Sequence, residues 1–100
     1  MNSTWQELTK YLCHKTVAAG KILAIEDAKH TSLIVDGGAS QPLRVIIHRD
    51  EEHRFERVLG AFRHGDVPQD LGYLVVYEDG YRSWSPSKAF EEGYTKAPDQ

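Results

Sequence analysis

"YLVVYEDGYRSW", residues 73–84, decides how this chain folds. Two runs rich in β-branched and aromatic residues flank Asp79-Gly80, and Asp-Gly between such runs is the strongest short-range hairpin signal. With those two residues as the loop, Glu78 pairs with Tyr81, Tyr77 with Arg82, Val76 with Ser83 and Val75 with Trp84. Side chains alternate along a strand, so one face then carries Tyr73, Val75, Tyr77, Arg82 and Trp84. The other carries Leu74, Val76, Glu78, Tyr81 and Ser83. A hairpin apolar on both faces needs cover on both. One face packs on the core; the other meets a helix, a second subunit or a ligand.

The residues that follow supply a helix. Ser85 suits an N-cap and Pro86 the first helical position. A short helix to about Tyr94 sets Phe90 and Tyr94 on one side, four residues apart. The favoured expectation is that this helix folds back and covers the exposed hairpin face with Phe90 and Tyr94. The alternatives are a homodimer interface and a stacking platform for a planar ligand. In the platform reading Tyr73, Tyr77 and Trp84 offer ring faces, and Arg82 on the same side contacts an anion.

Upstream, "DEEHRFERVLGAFRHG" has the helical period, with Phe55, Val58, Leu59 and Phe62 on one stripe. Asp50 is the expected cap, glutamates fill the first turn, and Gly65 stops the helix after Arg63 and His64. Arg54 and Arg57 fall on its exposed side and join the candidate ligand-binding set as anion contacts. "PLRVIIHRD" alternates Leu43, Val45 and Ile47 against Arg44, Ile46 and His48, a strand with one buried face. "TSLIVDGG" reads as a second strand and "KTVAAGKILAIEDA" as a third, with Gly20 the expected bulge or bend. At the N-terminus, Ser3 or Thr4 with Gln6 or Glu7 forms a capping box. Trp5, Leu8 and Leu12 then share a face, which predicts a helix from about Thr4 to Cys13. The whole reads as α+β: a small, curved, antiparallel β-sheet with an N-terminal helix, a middle amphipathic helix and a short C-terminal helix.

One hundred residues make a single domain, 1–100, with the polar tail at 95–100 expected to fray. The composition, 40% hydrophobic and 27% charged, is that of a globular protein. The longest apolar run, Ile22 to Ile25, is too short to span a bilayer. "MNSTWQEL" lacks the basic and apolar regions of a signal peptide. A single cysteine, Cys13, forms no internal disulfide, which fits a reducing cytoplasm. The net charge of -3 argues against broad nucleic-acid binding, which needs a basic face.

No catalytic constellation stands out. Cys13 and His14 are adjacent, and neighbours on a helix point about 100° apart, too far round to share an activating hydrogen bond. His48, His53 and His64 with Asp50, Glu51 and Glu52 lack a metal-ligand spacing and read as a solvated helix start. "KTVAAGK" lacks the phosphate-loop pattern. The expectation is a non-enzymatic protein with no metal and no cofactor.

Residues 72–94, "GYLVVYEDGYRSWSPSKAFEEGY", resemble the C-terminal part of a set of small, uncharacterised phage and prophage proteins. The shared pattern is carried by Gly72, Tyr73, Val75, Tyr77, Asp79, Gly80, Tyr81, Ser83, Trp84, Ser85, Pro86, Phe90 and Tyr94. "HKTVAAGKI", residues 14–22, is similar to a stretch these proteins carry after a first helix. The middle, from "TSLIVDGGASQPLRVIIH" through the helix at 50–64, departs from their usual short polar connection. In layout alone the chain is also similar to phage-encoded Thoeris anti-defence proteins, small β-rich modules that sequester nucleotide signals. The resemblance implies a phage-type accessory protein in the bacterial cytoplasm that binds a host or defence component, as a homodimer. The alternative it implies is a binder of a small nucleotide-like ligand through Tyr73, Tyr77, Arg82, Trp84, Arg54 and Arg57.

Overall fold

The structure is a computed structural model, and it describes residues 3–12, 16–38 and 41–96. In chain order the elements are α1 (Ser3–Glu7), β1 (Thr9–Leu12), β2 (Thr16–Asp27), β3 (Thr31–Asp36) and β4 (Pro42–Ile46). A 3-10 helix (Arg49–Phe55) runs directly into α2 (Glu56–Arg63). Then come β5 (Tyr73–Val76), β6 (Arg82–Ser85), α3 (Ser87–Gly93) and β7 (Thr95–Lys96). Every strand pairing is antiparallel and the strands form one curved sheet, so the fold is α+β as expected. No helix among the described residues is long and apolar enough to cross a membrane.

The long strand β2 organises the sheet. Its first residues pair with β1, Ala18 to Lys21 pair with β5, and Ile22 to Asp27 pair with β3. The hand-over between neighbours depends on Gly20. A Cβ there would lie 2.7 Å from the Asp36 carbonyl oxygen and 3.0 Å from Leu8 Cδ2. The irregularity itself falls between Ile22 and Ala24, not at Gly20. Gly20 permits the close backbone approach, and the extra residue next door is Leu23, which points to solvent.

Alternation then builds a core on each side of the hairpin. Leu74 and Val76 join Leu33, Val35, Val45 and Phe55 beneath the 3-10 helix and α2. Tyr73 and Val75 join Val17, Ala19 and Phe90 beneath α3. All four residues of β5 are buried, which is what a two-faced apolar strand requires. On β4, Val45 and the following Ile47 are buried, Leu43 packs on the same core, and Arg44 and Ile46 are exposed, the expected alternation.

Several further expectations need correction. The first helix stops at Glu7, and Thr9–Leu12 is a strand. A five-residue helix has little stability of its own, and pairing Lys10 with Ala18 and Tyr11 with Val17 satisfies the backbone better than further helix would. Leu12 therefore lies exposed, and the expected helix end at Cys13 is outside the described residues. The middle helix begins as 3-10 turns capped at His48, whose backbone N–H donates to Glu51 Oε2 at 3.0 Å, so Asp50 is not the cap. Helix α3 starts at Ser87 with Pro86 as its cap residue, one position later than expected, because Ser85 still pairs in β6 opposite Tyr73. Of the tail, Thr95 and Lys96 pair with β1, and residues 97–100 are outside the described residues.

The last correction changes the site. The hairpin pairs Val76 with Arg82, Val75 with Ser83 and Leu74 with Trp84, one residue out of the expected register. Its loop has three residues. The Gly80 N–H donates to Tyr77 O at 2.9 Å and the Tyr77 N–H to Tyr81 O at 2.8 Å. Gly80 has φ of +97°, the left-handed position that closes such a loop. Gly80→Val is expected to cost about 1–3 kcal/mol in urea unfolding, because a β-branched residue is strained at positive φ. An unchanged midpoint would mean the loop relaxes freely.

Candidate functional site

A one-residue slip turns every side chain of one strand to the other face. Tyr73, Val75, Tyr77 and Ser83 therefore share one face, while Leu74, Val76, Arg82 and Trp84 share the other. The expected single platform of Tyr73, Tyr77, Arg82 and Trp84 is split in two.

On the first face, α3 covers the hairpin as the favoured expectation had it. Phe90 stacks on Tyr73 with ring centroids 4.3 Å apart and planes 23° from parallel. Tyr94 stacks on Phe90 at 4.7 Å, and Tyr11 meets Phe90 edge-on at 4.8 Å. The Tyr73 hydroxyl donates to Glu91 Oε2 at 2.7 Å. Burial first, and then that carboxylate, push the Tyr73 pKa well above the ordinary phenol value. Tyr73 is thus a core residue, with no open ring face for a ligand. The cover ends before the hairpin tip. There Tyr77 and Tyr81 face each other at 5.9 Å, and with Thr16, Glu78 and Asp79 they line a cleft of about 530 Å³. Tyr81 is 48% exposed.

On the second face, Arg82 meets the 3-10 helix. Its guanidinium grips both carboxylate oxygens of Glu51 and donates to Ile46 O at 2.7 Å, at the end of β4. The far ends of the curved sheet are joined here through side chains. Arg54 donates to Arg82 O at 3.1 Å, lies 3.7 Å from Glu51 and sets its guanidinium 4.0 Å from the Tyr81 ring. Arg82 is therefore a structural cation, not the open anion contact expected of it. Glu51 is buried, not part of a solvated helix start. Burial is the largest single influence on its carboxyl and raises the pKa. The hydrogen bonds from Arg82 and the His48 N–H together outweigh burial and leave the pKa below the ordinary carboxylate value.

Further along this face, Trp84 packs on the main core and its Nε1–H donates to Leu71 O at 2.7 Å. The indole fits because residue 72 is glycine. Its φ is +83°, and a Cβ there would lie 2.6 Å from both Trp84 Nε1 and Ser85 O. The Arg57 guanidinium lies 5.3 Å from the Trp84 ring. With Pro68, Asp70, Pro86 and Lys88 these two residues line a cleft of about 350 Å³. The Asp70 Oδ1 accepts from Ser87 Oγ at 2.6 Å and from the Gly72 N–H at 3.0 Å, which holds its carboxyl below the usual pKa.

Of the six expected ligand residues, the structure thus brings Arg57 to Trp84 and Arg54 to Arg82. Tyr77 stands with Tyr81 at the tip, and Tyr73 is closed off. Sequence reasoning missed Tyr81 because the wrong loop length turned it inward. It missed Glu51 because three consecutive acids hide the one that faces in, although its place three residues after His48 is a capping-box signal. Among the described residues, no three His, Cys, Asp or Glu side chains are grouped to hold a metal ion. Cys13 and His14 lie outside the described residues.

Fold and site together define a small α+β domain whose hairpin tip carries a paired-tyrosine, arginine-flanked surface. No protein-family model, no curated protein and no solved structure matches the chain.

Proposed function

We propose that this chain is a non-enzymatic, phage- or prophage-type accessory protein that acts by binding a host or defence protein in the bacterial cytoplasm. The observation that supports this reading is the hairpin tip. Tyr81 is exposed, Tyr77 faces it, and Arg54 is held against the Tyr81 ring by a hydrogen bond to Arg82 O and an ion pair with Glu51. Tyrosine and arginine dominate binding hot spots, because they offer large contact areas with few rotamers to freeze and with directional donors. The resemblance of residues 72–94 to small phage proteins points the same way.

Capture from bacterial lysate on immobilised protein tests the reading. A protein retained by the native chain is expected to be lost with Tyr81→Ala and kept with Lys88→Ala, which lies away from the tip. Equal retention on both variants would overturn the assignment to the tip. Tyr81 is exposed, so its removal leaves the fold intact and the comparison fair.

A second reading rests on a separate observation, the Arg57–Trp84 cleft. An indole edge with a guanidinium and the Lys88 ammonium beside it suits a small, planar, anionic ligand of nucleotide-like chemistry. In this reading the ligand takes Arg57 and Trp84 and leaves Tyr73 and Arg82 to the fold.

A further inference from the structure

A cleft of about 580 Å³ opens between the β2–β3 turn and the β4–helix junction. The β2–β3 turn forms one wall with Asp27, Lys29, His30 and Thr31. The end of β4 and the start of the 3-10 helix form another with His48, Arg49 and Glu52. Arg63 of α2 also lines it and is bonded to three side chains. Its Nε donates to Asp27 Oδ2 at 2.8 Å, and its two terminal nitrogens donate to Glu52 Oε1 at 3.2 Å and Thr31 Oγ1 at 3.1 Å. Arg63 therefore answers both carboxylates of the cleft, and Asp27 is held below its ordinary pKa by that contact first and by Thr31 second.

Lys29, His30 and Arg49 are exposed and make no hydrogen bond or ion pair with other described residues. Counting Lys29, Arg49 and Arg63 against Asp27 and Glu52, the cleft carries three positive and two negative charges, a local excess of +1 with both imidazoles neutral. The whole chain is at -3. A cationic recess in an anionic protein focuses field lines onto a small anion and repels an extended one. Two unengaged cations from different elements, Lys29 and Arg49, line the same cleft, with the imidazoles of His30 and His48. That is a donor set for a doubly charged tetrahedral oxyanion. The Ile47 N–H donates to Thr31 O at 2.8 Å and carries the β3–β4 pairing one residue further, so the backbones of the two walls are fixed relative to each other.

We propose that this cleft is a binding site for a phosphate group, separate from the hairpin tip and from the Arg57–Trp84 cleft. Lys29 and Arg49 neutralise the group, and His30 and His48 donate to its remaining oxygens. Two sources present the same chemistry, the free ion and a small phosphate monoester.

Amide NMR titration of the full chain with inorganic phosphate, and separately with glycerol phosphate, tests this. Saturable shifts confined to residues 27–31, 47–49 and 63 are expected. Tighter binding of glycerol phosphate assigns the site to a phosphate monoester; equal or weaker binding assigns it to the free ion. The double substitution Lys29→Gln, Arg49→Gln is expected to weaken binding about tenfold or more, since each removes a charge-assisted contact. Both side chains are exposed and unengaged, so the amide spectrum of the variant reports directly that the fold is kept. Shifts that never saturate, that spread over the surface, or that persist unchanged in the double variant would overturn the proposal. Failure at the hairpin tip would leave this site untouched, because it shares no residue with Tyr77, Tyr81 or Arg54.

Discussion

Phe90→Ala is expected to destabilise the domain by about 3–5 kcal/mol, the usual cost of emptying a buried phenylalanine site. Phe90 is 1% exposed and lies between the rings of Tyr73 and Tyr94, with the edge of Tyr11 on a third side. Three elements meet at that ring, β1, β5 and α3, together with Tyr94 just after α3. The resulting cavity cannot close cheaply, because Tyr73 is tied to Glu91 by its hydroxyl and Tyr11 is fixed by the β1–β2 ladder. In a domain of this size the loss corresponds to a fall in Tm of more than about 10 °C. Urea unfolding followed by tyrosine fluorescence measures it. A cost below about 1 kcal/mol, the range of ordinary surface substitutions, would mean that α3 does not cover the sheet.

Glu51→Ala has the second largest expected effect, also about 3–5 kcal/mol, because it leaves a buried guanidinium without its partner. The Arg82 side chain is 12% exposed and that of Glu51 9% exposed, so water replaces the lost carboxylate poorly. The same change frees the His48 N–H and leaves Arg54 facing Arg82 with no acid between them. Replacing both partners, as Glu51→Leu with Arg82→Met, is expected to cost less than Glu51→Ala alone, since no buried charge is then left unpaired. The pH dependence carries a definite sign. The Glu51 carboxyl has a lower pKa in the folded protein than its ordinary value of 4.5. Its contribution is therefore complete above pH 4.5 and is lost as the pH falls through the folded value. The stability gap between the native chain and Glu51→Gln should narrow as the pH is lowered below that point. A gap that stays constant down to acid unfolding would show that the carboxylate form of Glu51 is not what holds Arg82.

Much of this architecture is legible in the residues. The stripe Phe55, Val58, Leu59 and Phe62 marks the middle helix because four apolar residues at i, i+3, i+4 and i+7 fit a helix and not a strand. Leu43, Val45 and Ile47 mark β4 for the same reason with a period of two. Phe90 and Tyr94 reveal a covering helix because the hairpin cannot leave both apolar faces wet. The hairpin register is not legible at the same level. Asp79-Gly80 fits both a two-residue and a three-residue loop, and only the packing of Trp84 beside Leu71 and Gly72 separates them. That single residue of difference dismantles the expected platform of Tyr73, Tyr77, Arg82 and Trp84. The first helix fails for a related reason. Trp5, Leu8 and Leu12 have helical spacing, but the partner that makes Thr9–Leu12 a strand lies on β2, beyond any local window. Arg63 shows the same limit from the other side. Its three acceptors, Asp27, Thr31 and Glu52, come from two distant stretches of sequence, so its role in shaping the phosphate cleft has no local signature.

The central claim is that the domain works by holding a partner at the Tyr77–Tyr81 tip. Native mass spectrometry of the protein purified gently from bacterial cells tests it most directly. The account predicts a species in which the 11.3 kDa chain, alone or as a homodimer, carries a defined protein mass, and predicts that Tyr81→Ala returns the chain to its bare mass. An adduct of small-molecule size lost on Trp84→Ala would move the function to the Arg57–Trp84 cleft. A bare 11.3 kDa monomer from both the native chain and the variant would contradict the account.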